Sequence, residues 1–110
     1  MDEALKTFLI AVVGNRLRLE ILFYFLRNGG SFLSTEDLAV KIGRETKEVK
    51  EAVIGLHAAG ILLYTPFGYS DICFLDGEKH TPEITQNLKR LAELLEKAPS
   101  EAEKLLQILP

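Results

Sequence analysis

The sequence predicts a mainly α-helical single domain carrying one small antiparallel β hairpin. Three observations predict it. Apolar residues recur at three- and four-residue spacing through the middle and both ends of the chain, which marks helices that bury one face. That pattern is interrupted by two short β-prone runs, residues 61–64 and 71–75, on either side of a segment containing Pro66 and Gly68. The 110 residues, 47% hydrophobic and 26% charged, suit one globular core. A chain of this length buries about 65% of its unfolded surface and leaves no room for a second domain.

Each element has a local cause. Residues 2–13 are apolar at Leu5, Phe8, Leu9, Val12 and Val13, and they open on Asp2 and Glu3, acids that suit the positive end of a helix dipole. Gly14-Asn15 interrupts them. Residues 15–28 carry Leu17, Leu19, Ile21, Leu22, Phe23, Tyr24, Phe25 and Leu26 almost all round the axis, so this helix is expected at the centre of the fold. Gly29-Gly30 closes it. Residues 31–33 are long enough for a single rung of sheet. Ser34 is then a good N-cap, with Asp37 placed to favour the free N–H groups of a helix over 35–42. Leu38 and Ile42 form its stripe, and Gly43 supplies the positive φ needed to turn into a second helix. That helix begins near residue 45 or 46, buries Val49, Val53 and Leu56, and ends at Gly60.

The hairpin follows, with residues 65–70 as its turn. Thr81-Pro82-Glu83 starts a further helix, with Pro at the first helical position and an acid in the first turn. Ile84, Leu88, Leu91, Leu94 and Leu95 make its stripe. Pro99 is expected to stop it, and Ser100 to cap a last helix that ends in Leu105, Leu106, Ile108 and Leu109.

The order L-A-x-x-I-G, then Val49, then V-x-x-L-x-x-x-G-I-L over residues 38–62, resembles the helix-turn-helix of winged-helix regulators. The upstream AVVGNRLRLEIL resembles the opening of ArsR-like members, and MarR-like members are equally compatible. The family usually has Ser or Thr two residues after the glycine, where this chain has Glu45 with Thr46 beside it. The resemblance implies a winged helix-turn-helix core over 15–75, with a wing at the hairpin. It also implies that flanking helices, 1–13 and 81–109, build a homodimer so that two recognition helices meet two half-sites. Leu5, Phe8, Leu9 and Val12, together with Ile84, Leu88, Leu91 and Leu95, are the surfaces expected to form that dimer. The alternative is that these stripes only cover their own core.

The implied function is sequence-specific binding of double-stranded DNA by a transcriptional regulator. With Val49, Val53 and Leu56 inward, Lys47, Lys50, Glu51, Ile54 and Ala58 face out. The DNA-binding candidates are then Arg44 and Lys50 for phosphate, and Thr46 and Lys47 for base edges. Charge argues against a strong field. The net charge is −3, and residues 31–56 hold four bases, Lys41, Arg44, Lys47 and Lys50, against five acids. Residues 64–75 contain no base and one acid, Asp71, while Phe67 and Tyr69 stand in the turn. Because affinity for a polyanion rests on phosphate neutralisation, the competing reading is a winged-helix module that binds protein through this apolar wing and Ile54. Arg16, Arg18 and Arg27 would restore some positive field if they faced the DNA, but are expected as solvated surface.

No metal or other cofactor is expected. ArsR-like repressors often bind metals, but Cys73 is the lone cysteine and reads as an inert buried thiol. Asp76, His80 and Glu83 lack the second histidine that a site on the following helix needs. His57 carries no assigned role. The sequence contains no nucleophile elbow, phosphate loop or Cys/His constellation, so catalysis is not expected. No apolar run approaches the ~20 residues of a membrane span, and the acidic N-terminus is wrong for a signal peptide, so the expected location is the cytoplasm.

Overall fold

The computed structural model describes residues 2–110. Helix α1, Glu3–Phe8, is capped by Asp2, whose Oδ1 accepts from the amides of Ala4 and Leu5 at 3.0 and 3.3 Å. It passes directly into a π-helical turn, Leu9–Val13, which closes where the Gly14 amide donates to the Leu9 carbonyl at 2.8 Å. Gly14, at φ +93°, ends it. Asn15 caps α2, Arg16–Arg27, by accepting from the Arg18 amide. As its all-round apolar sequence requires, α2 is central, packing against the helices named below as α3, α4 and α5.

Ser34 caps α3, Thr35–Ile42, by accepting from the Asp37 amide at 3.0 Å. Gly43 takes the left-handed conformation at φ +70° and turns the chain into α4, Thr46–Ala58, whose N-cap position, Glu45, makes no side-chain cap bond. The hairpin strands are β1, Leu63–Phe67, and β2, Ser70–Phe74, in antiparallel register from Leu63↔Phe74 to Phe67↔Ser70. They are shifted toward the loop relative to the β-prone runs, residues 61, 62 and 75 lying outside them. The reason is the turn: Gly68, at φ +61°, followed by Tyr69 closes the ladder in two residues, so 65–67 and 70 are strand. Pro66 is compatible with this because β1 is an edge strand. On the other side of β2, Leu33 and Cys73 exchange backbone hydrogen bonds of 3.1 and 2.7 Å, the single rung expected near residue 33.

A 3₁₀ turn, Gly77–Lys79, leads to α5, Pro82–Lys97, capped by Thr81 with Pro82 in its first turn. The last helix departs from expectation. Pro99 belongs to it, α6 spanning Pro99–Leu105 after the single residue Ala98, because a fixed φ and a missing N–H are harmless at a first helical position. Ser100 is therefore not its cap. A final 3₁₀ turn covers Leu106–Ile108. Among the described residues no helix is long and apolar enough to cross a membrane.

The terminal stripes cover the chain's own core. Leu5, Phe8, Leu9, Ile84, Leu88 and Leu91 are buried, and Val12 and Leu95 are half-buried against the same cluster. These eight residues are thus not the free surface that a dimer built on them requires. The cause lies in α2, which is apolar on too many sides for α3 and α4 alone to cover. α5 and the 3₁₀ turn after α6 close its other sides, α1 packs on α5, and α6 packs on α5.

Candidate nucleic-acid interface

Helix α4 divides cleanly. Val49, Ala52, Val53 and Leu56 are buried against the core, and Thr46, Lys47, Lys50, Glu51, Ile54 and Ala58 are exposed. Lys47, Lys50 and Ile54 share one stripe at helical spacing, and Thr46 is the first residue of the helix. Among the described residues neither lysine forms an ion pair. Arg44 differs: its Nη2 sits 2.7 Å from Glu20 Oε2 on α2, so its charge is engaged within the fold. Three of the four DNA-binding candidates therefore share a face, and the fourth is tied back. Glu45, Glu48 and Glu51 remain exposed among them, so the face is mixed in sign.

The hairpin is fastened by a buried carboxylate on the rung next to its closing pair. Asp71 Oδ1 accepts from the Thr35 amide at 2.8 Å, Oδ2 accepts from the Thr35 hydroxyl at 2.8 Å, and Tyr64 OH donates to Oδ2 at 3.2 Å. Burial by itself raises the carboxyl's pKa, but these three hydrogen bonds and the nearby charge of Lys50 outweigh it and hold Asp71 below the ordinary aspartate value. The contact also places a negative charge on the first N–H of α3, where the helix dipole favours one. Beyond this rung the hairpin is bare. Phe67 is 68% exposed and Tyr69 fully so, at 111%.

The arginines expected as solvated surface are mostly structural. Arg16 donates from Nε to the Leu106 carbonyl at 3.0 Å and from Nη2 to Leu109 at 3.5 Å, tying the last turn of the chain to α2. The Arg18 guanidinium donates to the Val13 carbonyl at 3.3 Å and lies along Gly55 of α4, where a methyl group would overlap it. Its buried Nε has no hydrogen-bond partner. Arg27 is exposed as expected, pairing with Glu103 at 3.4 Å and lying 5.6 Å from the Phe23 ring centroid.

Sequence reasoning misses the contacts of Arg16, Arg18, Arg44 and Asp71, and only two of them leave a signal in the sequence. Gly55, an isolated glycine inside a good helix, is the available signal for the close approach of Arg18. A lone acid in an apolar strand is the signal for Asp71.

The thiol of Cys73 is buried and donates to the Leu33 carbonyl at 3.3 Å, and burial pushes its pKa up to about 12. It is a poor nucleophile or ligand at neutral pH. His80 Nε2 lies 2.7 Å from the Ile61 carbonyl, and His57 Nδ1 receives the Tyr64 amide at 3.2 Å. Among the described residues no cluster of three His, Cys, Asp or Glu side chains converges on a metal position, Asp76, His80 and Glu83 included. A cleft of about 570 Å³ lies between α1 and α5, where Arg90 pairs with Asp2 at 2.8 Å. Comparison with family models, curated proteins and solved structures finds no match for this chain.

Proposed function

We propose that the chain is a DNA-binding transcriptional regulator of winged helix-turn-helix type, ArsR-like or MarR-like, which acts as a homodimer by occupying an operator, without a catalytic step. The observation that carries this reading is the outer face of α4. A helix held by one side against α3 through a left-handed glycine turn presents Thr46, Lys47 and Lys50 together on the other side. The first residues of such a helix are those that reach base edges in a major groove, and the lysines supply phosphate contacts. A dimer matching two half-sites has to use residues other than the buried stripes. The outward side of residues 3–13, where Ile10 is 53% exposed, is the apolar surface that remains there.

A second reading, a winged-helix module that binds protein and not DNA, is favoured by one specific observation: the exposed Phe67 and Tyr69 on a hairpin without a cation. Salt separates the two. The DNA reading expects duplex affinity to fall steeply with salt, and the log–log slope to flatten by roughly 0.9 for each phosphate that a Lys47→Ala/Lys50→Ala variant no longer neutralises. Absence of duplex binding at about 50 mM salt, where phosphate contacts are strong, would overturn it.

A further inference from the structure

Helix α4 and the hairpin meet at a histidine that the sequence leaves without a role. The Cys73 N–H and C=O both go to Leu33, so the facing pair Tyr64↔Cys73 is not hydrogen-bonded and Tyr64 turns its own N–H to the open edge of β1. Leu62, two residues earlier, turns its carbonyl the same way. One atom meets both. His57 Nδ1, in the last turn of α4, lies 3.2 Å from the Tyr64 amide nitrogen and 3.1 Å from the Leu62 carbonyl oxygen. The His57 and Tyr64 rings also pack edge to face, with centroids 6.5 Å apart.

These two neighbours make opposite demands. An amide N–H can only donate and a carbonyl can only accept, while Nδ1 carries either a lone pair or a proton. A neutral ring protonated at Nε2 accepts from Tyr64, and it sets its lone pair against a second acceptor, the Leu62 oxygen. An imidazolium donates from Nδ1 to Leu62 and sets its N–H against that of Tyr64. Each form satisfies one neighbour and opposes the other, so a proton moves the bond between two residues on the edge of β1. His80, the other histidine at this junction, behaves differently. Its Nε2 donates to the Ile61 carbonyl at 2.7 Å, and an imidazolium makes that bond as well as the neutral ring does.

The charges around His57 are sparse. Asp76 and Lys79, of opposite sign, line the same cleft of about 250 Å³ from the segment after β2. Residues 52–61 of α4 and its exit hold no charged side chain besides His57 itself. β1 offers Tyr64, whose hydroxyl is committed to Asp71. From α2, Arg18 lies along Gly55, and the charged residues of α3, Glu36, Asp37 and Lys41, are exposed and do not line the cleft. Among the described residues no ion pair fixes the imidazole in either form.

We infer that His57 is a proton-operated latch between α4 and the hairpin: neutral, it holds β1 to the helix through the Tyr64 amide, and protonated, it turns to Leu62 and releases Tyr64. An imidazole is the side chain suited to such a change, because its ordinary titration falls between about pH 5 and 8. The hairpin then pivots and does not detach. The Asp71 carboxyl, held below the ordinary aspartate value, keeps its bonds to Thr35 through that range. The latch is independent of what α4 binds.

The test is a titration of the full-length protein from about pH 8 to 5, followed by proton and nitrogen NMR of the histidine rings and the backbone amides. At the alkaline end His57 should carry its proton on Nε2, with Nδ1 bare and the Tyr64 amide proton displaced downfield by its hydrogen bond. As His57 titrates, the Tyr64 amide proton should move upfield with the same midpoint and exchange with solvent several-fold faster. The Thr35 amide, bonded to Asp71, should not follow. His80→Gln should leave the Tyr64 transition in place, and His57→Gln should abolish it. The wild-type titration decides the matter even if a variant fails to fold. A Tyr64 amide that ignores the titration of His57, or that follows His80 in its place, would overturn the latch, and so would a proton on Nδ1 at the alkaline end.

Discussion

Positive charge is used in opposite ways in two regions of this molecule. Around α2, Arg16 and Arg18 turn back onto backbone carbonyls, Arg27 reaches Glu103, and Arg44 is drawn across to Glu20. On α4, Lys47 and Lys50 stay in solvent. The difference follows from what lies within reach. The ends of α2 abut Val13, Leu106 and Leu109, whose carbonyls lack helical partners, and a guanidinium can satisfy several such groups in one plane. The outer face of a mid-chain helix offers no free carbonyl. A cation's place in the sequence therefore says less about its availability than the number of unpaired acceptors around it does.

Substitutions can test this division, beginning with the largest effect. Leu91→Glu or Leu88→Glu buries an unpaired charge in the core shared by α2, α5 and α6 and should cost more than ~4 kcal/mol, leaving the chain unfolded in circular dichroism. Ile10→Glu should change stability by less than about 0.5 kcal/mol. A well-folded Leu91→Glu protein would show that this stripe faces a partner after all.

Gly55→Ala should displace the Arg18 guanidinium, the far end of a flexible side chain, and lose its bond to Val13. That loss offsets the ~1 kcal/mol that alanine gains as a helix former and leaves stability within about 1 kcal/mol of the wild type. In Arg18→Ala the same substitution should be neutral or stabilising, so a double-mutant cycle in urea should return a coupling well above 0.5 kcal/mol in size, the order expected of contacting residues.

Asp71→Asn should cost about 1–3 kcal/mol by weakening the bonds to Thr35 and Tyr64. Its pH dependence has a definite sign. The folded-state pKa of Asp71 lies below the unfolded value of about 3.9, so the stabilisation is complete above that value and disappears as pH falls through the folded pKa. Urea midpoints for wild type and variant should therefore differ at pH 7 and converge in acid. A constant difference would show that packing, and not the ionised carboxylate, holds the hairpin against α3.

A small stability effect, about 0.2–1 kcal/mol, is expected for Glu20→Ala, which breaks a half-exposed ion pair. It sharpens the comparison most directly. On the DNA-binding reading proposed above, Arg44 freed from Glu20 joins Lys47 and Lys50, and duplex affinity should rise with a salt slope steeper by roughly 0.9.

Much of the fold is legible in the sequence because its signals are local. Ser34, Thr81, Gly43 and the all-round apolar face of α2 each depend on neighbours within a turn or two. The strand ends are misplaced because Pro66 suggests a loop, while the tight Gly68-Tyr69 turn lets pairing continue past it. Periodicity identifies the stripes at Leu5–Val12 and Ile84–Leu95 but does not say what covers them, which depends on how much of α2 remains bare. The candidate site is legible on α4, where Thr46, Lys47 and Lys50 follow from helical geometry. It is not legible at Arg44, because Glu20 lies 24 residues away, or at Asp71, 36 residues from Thr35.

The π-helical turn at Leu9–Val13 gives the chain a spare residue. Its wider ring holds one residue more than an α-helical turn, closed by the Gly14 amide on the Leu9 carbonyl. Both kinds of turn make about one revolution, so deleting exposed Ala11 would return the segment to α geometry and leave Leu5 and Phe8 facing the core. A deletion inside α1 has no such slack. Removing exposed Thr7 would rotate everything before it by about 100° and turn Leu5 out of the core. Loss of Ala11 should therefore shift a melting curve far less than loss of Thr7, although both side chains are exposed.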